Sequence, residues 1–423
     1  MLKTLFAFFK SPELRKKAFI IFLLLLVFRL MATIPLPNID KQQLNVFFEK
    51  YQVFGLFNIF TGGAFKNISI VLLGVGPYIT ASIIMQLLTL IFPSLKEMLY
   101  KGTSKERARF MQYSRMLTIP LAFLQGFSFL TLLSRQGVIV FHSQWDFLTD
   151  IIIITASSIF LMWLGELITE QKLGNGISFL IFSGIVINLP REILATILTT
   201  SLTNILNVVL FFVLFILIVI SVVYISLAER RIPVNYAKQV RGTKIYGGAA
   251  TYLPLKINQA GVIPIIFALS ILMFPQMFIY LFSKIDNPFL LKLINFINNF
   301  NQGNIWYLIS YFLLVFIFTY FYTFITFEPD TIAENLQKRG GFIPGYRPGM
   351  TTVKFLSQVT SRITLFGAIF LGLIAVLPIL LQRFTGITTM AVGGTSLLIM
   401  VQVAIEIMKA IESQLIMREY EIY

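Results

Sequence analysis

The chain has 423 residues, of which 57% are apolar and only 13% charged, too little polar surface to clothe a water-soluble globule of this size. Its formal charge of +15 would suit a phosphate-binding protein if taken alone, yet the placement of the basic residues decides otherwise. The absence of cysteine and the presence of one histidine, His142, exclude disulfides, thiol nucleophiles, iron–sulfur clusters and metal sites built on paired His or Cys ligands.

A bilayer's hydrocarbon is about 30 Å thick, so a crossing helix needs ~20 mostly uncharged residues whose backbone groups pair within the segment. Lys10, Arg15, Lys16 and Lys17 precede the apolar run 18–28, as in a secretory signal, but no small-residue cleavage site follows. This predicts a retained first span, interrupted only by Arg29. Residues 54–66 come next, apolar but too short to cross, and Thr61-Gly62-Gly63 breaks any helix there. Such a piece reads as a re-entrant or interfacial element, permitted at membrane depth where protein or a cavity surrounds it. Charge-free windows follow at 67–95, 116–134, 151–165, 173–190, 204–227, 257–283, 301–327, 363–382 and 384–405, which makes about ten spans in all.

With the N-terminus placed inside, 25 of the 34 Lys and Arg residues fall in inner segments and 8 in outer ones, Arg29 lying within a span. That asymmetry predicts both termini in the cytoplasm, so the basic excess is first of all topological. No stretch between spans exceeds about 30 residues, which leaves no room for a soluble domain. Two inner loops, 228–256 and 328–356, are long and basic, and the second carries the turn-forming run Gly340-Gly341-Phe342-Ile343-Pro344-Gly345-Tyr346-Arg347-Pro348-Gly349. They read either as solvated positive-inside loops or as a docking surface for an acidic or RNA-bearing partner.

Within the spans ionisable groups are scarce. Glu166, Glu170 and Glu406 fall near inner ends and Arg29 in the outer half of the first span, positions that suit structural or interfacial charges. The polar residues inside are neutral: Thr80, Ser82, Gln86, Gln125, Asn258 and Gln259, suited to modest interhelical hydrogen bonds. A secondary transporter would call for a charged or ion-coordinating midplane site. An intramembrane enzyme would call for a Ser/His, paired-Asp or Glu/His constellation within spans. Neither pattern is present.

The blocks Phe57-Asn58-Ile59-Phe60-Thr61-Gly62-Gly63-Ala64 and Pro77-Tyr78-Ile79-Thr80-Ala81-Ser82-Ile83-Ile84-Met85-Gln86-Leu87-Leu88 resemble the plug and second helix of SecY channels. The likeness continues through Phe160 to Glu166, Gly174-Asn175-Gly176-Ile177-Ser178, Arg231 to Lys238, Leu253 to Asn258, Ala260-Gly261-Val262-Ile263-Pro264, Pro344 to Gly349 and Gly393 to Ile399. These blocks are collinear over nearly the whole chain.

The resemblance implies an all-α polytopic membrane protein of about ten transmembrane helices in two pseudo-symmetric inverted halves, 1–200 with spans 1–5 and 201–423 with spans 6–10. It implies a protein-conducting channel, not an enzyme, with no cofactor. The family's motif positions place a pore ring on Val75, Ile79, Ile177, Ile181, Ile266 and Ile399, with valine at 75 where isoleucine is common. They place a plug on residues 56–66, including Leu56, Phe57, Asn58, Ile59, Phe60, Thr61, Gly62 and Gly63. A lateral gate onto membrane lipid falls at Thr80, Gln86, Asn258 and Phe274. Docking of the ribosome or the SecA motor ATPase falls on Arg230, Arg231, Lys238, Arg241, Lys244 and Arg347. The implied partners are the SecE and SecG subunits, SecA, the ribosome and a nascent or secretory polypeptide, at the cell inner (plasma) membrane. The chain has no Gly-rich Lys-Ser/Thr phosphate loop, so ATP would be hydrolysed by a partner. Two departures from the family pattern are short outer loops and a tail that ends soon after Arg418.

Overall fold

A computed structural model describes residues 11–37, 39–40, 43–44, 68–100, 102–199, 205–236, 239–241, 244–246, 250–282, 304–385 and 393–421. Each predicted span is met by a helix: α1 (Pro12–Thr33), α2 (Gly76–Ile91) followed by a short α3 (Pro93–Tyr100), α4 (Ser104–Arg135), α5 (Gln144–Glu170) and α6 (Gly176–Thr199). Then come α7 (Ile205–Leu227), α8 (Ile263–Phe282), α9 (Ile305–Thr326) with a short α10 (Pro329–Lys338), α11 (Met350–Thr385) and α12 (Gly393–Glu421). Among the described residues, four stretches are long and apolar enough to cross a bilayer: Ser104–Arg135, Gln144–Glu170, Ile305–Lys338 and Met350–Leu377. The pair α2–α3, bent by 114°, gives a fifth if taken as one span.

Local chemistry sets the bounds. Before α4, Thr103 accepts a hydrogen bond from the Glu106 amide while the Glu106 carboxylate accepts from the Thr103 amide; Ser143 and Asp146 repeat this reciprocal cap at α5. The window 67–95 is helical only from Gly76, because residues 68–75 are spent in tight turns. It ends at Ile91 because Pro93 has no N–H to continue the ladder. The window 151–165 becomes the longer Gln144–Glu170 because helix caps, rather than charges, decide where a helix stops.

The described residues form two compact units. Unit 1 comprises those in Met1–Leu202, Ser270–Ile305 and Ile387–Tyr423; unit 2 comprises those in Thr203–Leu269 and Trp306–Gly386. In unit 1, α2 packs on α4, α4 on α5, α5 on α6, and α6 on α12. One end of this unit holds a dense apolar cluster of Leu36, Ile68, Leu72, Leu73, Phe129, Leu133, Ile139 and Ile154, all nearly inaccessible. Two isolated bridges, Pro35 with Ser69 and Ile39 with Ile139, tie the loops to it. Large apolar side chains such as Phe19, Phe22, Trp163 and Ile152 are more than half exposed, as expected where lipid is the solvent.

Unit 2 contains the only strands among the described residues, all within the two basic loops. Strand β1 (Glu229–Tyr236) pairs antiparallel with β4 (Ala250–Lys256) and at its far end with β5 (Gly341–Phe342); β2 (Gln239–Arg241) pairs with β3 (Lys244–Tyr246). Along β1, Ile232 and Val234 are buried while Arg231 and Pro233 are exposed, the alternation of a half-buried strand. Pro254 stands opposite Arg231 and Pro233 opposite Tyr252. A proline has no N–H to give the ladder, so Pro254 on the edge strand β4 discourages pairing with a foreign strand, while Pro233 lies on the middle strand β1.

Candidate functional site

Four of the six predicted ring residues fall in two pairs spaced by one helical turn, and i,i+4 spacing puts each pair on one face. Val75 immediately precedes α2, and its carbonyl accepts a hydrogen bond from the Ile79 amide at 3.1 Å. Ile177 and Ile181 occupy the first two turns of α6. Ile399 lies on α12, which packs on α6, and is 1% exposed. These five belong to unit 1, whereas Ile266, near the start of α8, belongs to unit 2. Val75, Ile181, Ile266 and Ile399 are buried, and Ile79 and Ile177 partly so.

The start of α6 shows how such a residue is fixed. Asn175 Oδ1 accepts from the amides of Ile177 at 3.0 Å and Ser178 at 3.4 Å, and Thr169 Oγ1 on α5 accepts from the Gly176 amide at 2.9 Å. Three donors that a helix start leaves without intrahelical partners are thereby satisfied. Two glycines let the helices approach: a Cβ at Gly176 would run into the Gly165 carbonyl, and one at Gly165 would stand 3.0 Å from Ile177 Cγ1. Sequence reading quoted Gly165 and Gly174 to Ser178 as motif residues; their physical task is this close crossing and cap.

The segment just beyond the predicted plug is anchored. Ile68, Val71, Leu72 and Leu73 are fully buried, the Ser157 hydroxyl donates to the Ile70 carbonyl at 2.6 Å, and the Leu36 and Ile70 amides donate to the Ile68 and Ile34 carbonyls. Ile68 holds φ at 43°, a left-handed conformation unusual for a β-branched residue. The predicted plug residues Leu56, Phe57, Asn58, Ile59, Phe60, Thr61, Gly62 and Gly63 lie outside the described residues.

Of the predicted gate residues, Thr80 donates to the Gly76 carbonyl at 3.0 Å and receives a long contact, 3.5 Å, from Gln125 Nε2 on α4. Gln86 on α2 and Asn258 ahead of α8 each keep a buried side-chain carbonyl oxygen with no hydrogen-bond partner among the described residues. Asn258 Nδ2 donates to the Gly261 carbonyl at 3.2 Å. Phe274 sits on α8 by its backbone, and its side chain lies outside the described residues.

The two basic loops, read separately in the sequence, are one folded body within unit 2. The β1–β5 pairing joins them, and Ile232, Val234 and Leu255 share a core with Ile343, Leu356 and Val359. On its outside Arg230, Arg231 and Arg347 are exposed; Arg231 pairs with Glu229 at 2.9 Å, and the Arg347 carbonyl accepts from the Thr352 hydroxyl. Tyr346 stacks on Phe355 with ring centroids 4.1 Å apart, bracing the turn that presents Arg347. Arg241 and Lys244 face each other in the β2–β3 register, and Lys238 lies outside the described residues. Sequence reading also missed the partner of Glu166: the carboxylate pairs with Arg115 on α4.

A model of the SecY family matches residues 69–408. The protein translocase subunit SecY of Thermus thermophilus is 42% identical over 431 residues, covering 100% of this chain and 97% of that one. A solved structure described as that of a protein conducting channel aligns with a TM-score of 0.62 at 18% identity, covering 93% of this chain and 91% of that one. Sec61 in the canine ribosome-channel complex from the endoplasmic reticulum aligns with a TM-score of 0.60, also at 18% identity, covering 93% and 91%. Those two likenesses show a shared ten-helix membrane fold, and with the near full-length identity to the Thermus protein they establish that this chain belongs to the SecY family.

Proposed function

We propose that the chain is the channel-forming subunit through which unfolded secretory polypeptides cross the membrane and from which hydrophobic segments leave sideways into lipid. The observation that carries this reading is the charge-free aliphatic set Val75, Ile79, Ile177, Ile181, Ile266 and Ile399 in a chain of this family, with Ile177 held by a side-chain cap and a close helix crossing. A narrow apolar constriction expels water and so blocks ions, while a passing chain displaces aliphatic side chains without breaking polar bonds. The halves 1–200 and 201–423 enclose that waist, the plug 56–66 seals it, and Thr80, Gln86, Asn258 and Phe274 line the lateral gate. A nascent segment of about 20 apolar residues partitions into lipid through such a gate, whereas a polar one continues across.

The protein works without catalysis of its own, in the cell inner membrane with both termini in the cytoplasm. SecE and SecG complete the channel. The joined basic loops, with Arg230, Arg231, Lys238, Arg241, Lys244 and Arg347, receive the SecA motor or the ribosome. Photo-crosslinkers at Ile79, Ile181 or Ile266 are expected to trap a secretory protein in transit; adducts with lipid or small solutes alone would overturn the reading. Arg347→Glu is expected to impair motor-driven secretion in a protein that still folds in the membrane, and unchanged secretion would remove the docking assignment.

A further inference from the structure

The sheet built from the two basic loops carries apolar side chains on both of its faces. Residues directly opposite in an antiparallel ladder share a face, and so do residues two apart along a strand. Ile232 and Val234 of β1 and Leu255 of β4 therefore point one way, into the core shared with Ile343, Leu356 and Val359. The opposite face carries Arg231 and Pro233 of β1, Tyr252, Pro254 and Lys256 of β4 and, through its pairing with Asn235, Phe342 of β5. All of these are exposed, Tyr252 at 60% and Phe342 at 38%.

An antiparallel sheet with one solvated face ordinarily turns polar residues to the water. Here the middle of the outer face is Pro233 directly opposite Tyr252, with Pro254 beside them. Among these three side chains the phenolic hydroxyl is the one polar group. The Tyr252 side chain makes no hydrogen bond, ion pair or ring contact with the other described residues. Charge is gathered at one end of the face: Glu229 stands opposite Lys256, and Arg231 pairs with Glu229 at 2.9 Å while its side chain stays 69% exposed. That end adjoins the end of α7, since the Ile257 amide donates to the Ala228 carbonyl at 3.0 Å. At ~3.3 Å per residue Tyr252 lies about 13 Å further along β4 than Lys256, so charged residues separate the apolar middle from the spanning helix, which argues against lipid as its cover.

An aromatic, apolar centre with a charged rim is the anatomy of a protein–protein contact, in which Tyr and Arg carry much of the energy. A nucleic-acid contact is more polar and far more uniformly cationic. We infer that this outer sheet face, centred on Tyr252, receives an amphipathic segment of a soluble protein partner, its apolar side chains seated on Pro233, Tyr252 and Pro254 and its acidic ones meeting Arg231 and Lys256. The inference rests on the docking role proposed above for the basic loops and divides it: the SecA motor takes this face, and the ribosome does not. A patch of this size accommodates a single helix or strand, a contact of the weak, transient class that suits a partner which binds and leaves.

Purified SecA and empty ribosomes are bound in turn to the channel with its partner subunits in vesicles, at low and at high salt. The variants are Tyr252→Ser, Tyr252→Phe and Arg347→Glu, each with its thermal melting checked against the native protein. Tyr252→Ser is expected to weaken SecA binding about 10-fold at both salt levels, because apolar contact is not screened, and to leave ribosome binding as it was. Tyr252→Phe keeps the ring and should bind SecA as the native protein does. Arg347→Glu should weaken binding at low salt and less at high salt. Native SecA binding by Tyr252→Ser beside a loss in Arg347→Glu would overturn the inference and leave the docking reading standing, whereas no effect of either variant on either partner would sink both. Weakened ribosome binding by Tyr252→Ser with SecA unaffected would give the face to the ribosome and overturn the inference. So would a SecA defect seen in anionic vesicles and absent in detergent, which would put lipid on the face.

Discussion

Replacing Asn175 by alanine tests the claim that the start of α6 is held by side chains. In the native protein its Oδ1 accepts from the amides of Ile177 and Ser178, at 3.0 and 3.4 Å, while Thr169 takes the Gly176 amide. Alanine leaves the first two donors without that partner. Loss of a helix N-cap costs about 1 kcal/mol, within a range of roughly 0.5–2. If the first turn opens locally, this converts to about a 5-fold faster amide exchange at Ile177 and Ser178, within roughly 2- to 30-fold, with little change deeper in α6. Asn175→Asp keeps the acceptor and adds a negative charge at a helix N-terminus, a favourable place, so its exchange should match or fall below the native rate. Hydrogen–deuterium exchange of both variants in detergent, read by mass spectrometry on peptides covering 170–185, measures this. Equal exchange in the native and alanine proteins would refute the capping argument, and faster exchange in the aspartate variant would refute its electrostatic half.

Gly176→Ala should cost about 1–3 kcal/mol, the usual penalty of overpacking, because the added methyl meets the Gly165 backbone carbonyl; Gly76→Ala, which meets nothing within 4 Å, should be tolerated. Thermal melting of the two variants in detergent checks the contrast. Glu106, in the first turn of α4 ahead of the span, has its carboxyl held below the ordinary glutamate value by hydrogen bonds from the backbone and hydroxyl of Thr103. A lowered folded-state value means that the cap stabilises fully above about pH 4.3 and is lost as pH falls through the lowered value. Exchange at the Thr103 amide, corrected for its intrinsic rate, should therefore rise on acidification in the native protein but show no such step in Glu106→Gln. The Arg115–Glu166 pair, whose side chains are 47% and 24% exposed, should contribute under about 1 kcal/mol. A double-mutant cycle with Arg115→Gln and Glu166→Gln measures its coupling by thermal melting, and a value of several kcal/mol would contradict the screening argument.

How much of this was legible in the sequence depends on how far apart the interacting residues lie. Spans are local: about 20 uncharged residues in a row predict a crossing helix, and α4, α5, α9 and α11 follow their windows, the starts of α4 and α5 being set by caps. The window 67–95 misled at its start because Val71-Leu72-Leu73-Gly74-Val75 is as apolar as any helix. Hydropathy does not distinguish a buried run of turns from a span, although Gly74, at φ 56°, was the available signal. The joining of the two basic loops was hidden because Asn235 and Tyr236 pair with Phe342 and Gly341 more than a hundred residues on, and no short pattern announces a two-residue strand. The hydrogen bonds of the Gln414 side chain with Lys17 and with the Lys172 carbonyl were invisible for the same reason, since both partners are far away in sequence. The proposed ring and gate positions rest on family likeness alone, because an isolated isoleucine on a membrane helix usually packs against lipid or a neighbour.

One consequence joins the caps to the waist. In the proposed channel Val75 and Ile177 stand at helix beginnings, and a bare helix N-terminus presents several N–H groups and a positive dipole end. Such groups would hydrate an apolar constriction and draw anions into it. The chain avoids this twice: the α6 amides are taken up by Asn175 and Thr169, and at α2 the Gly76 amide donates to the Leu73 carbonyl while Pro77 has no amide hydrogen to offer. A dewetted seal therefore depends on capping as much as on aliphatic bulk. Asn175→Ala, with every ring side chain intact, should make resting channels leak chloride in preference to potassium, whereas ring substitutions to glycine should leak ions of either sign. Conductance of the reconstituted channel separates the two. An Asn175→Ala channel as tight as the native one would mean that the amides of α6 do not border the waist.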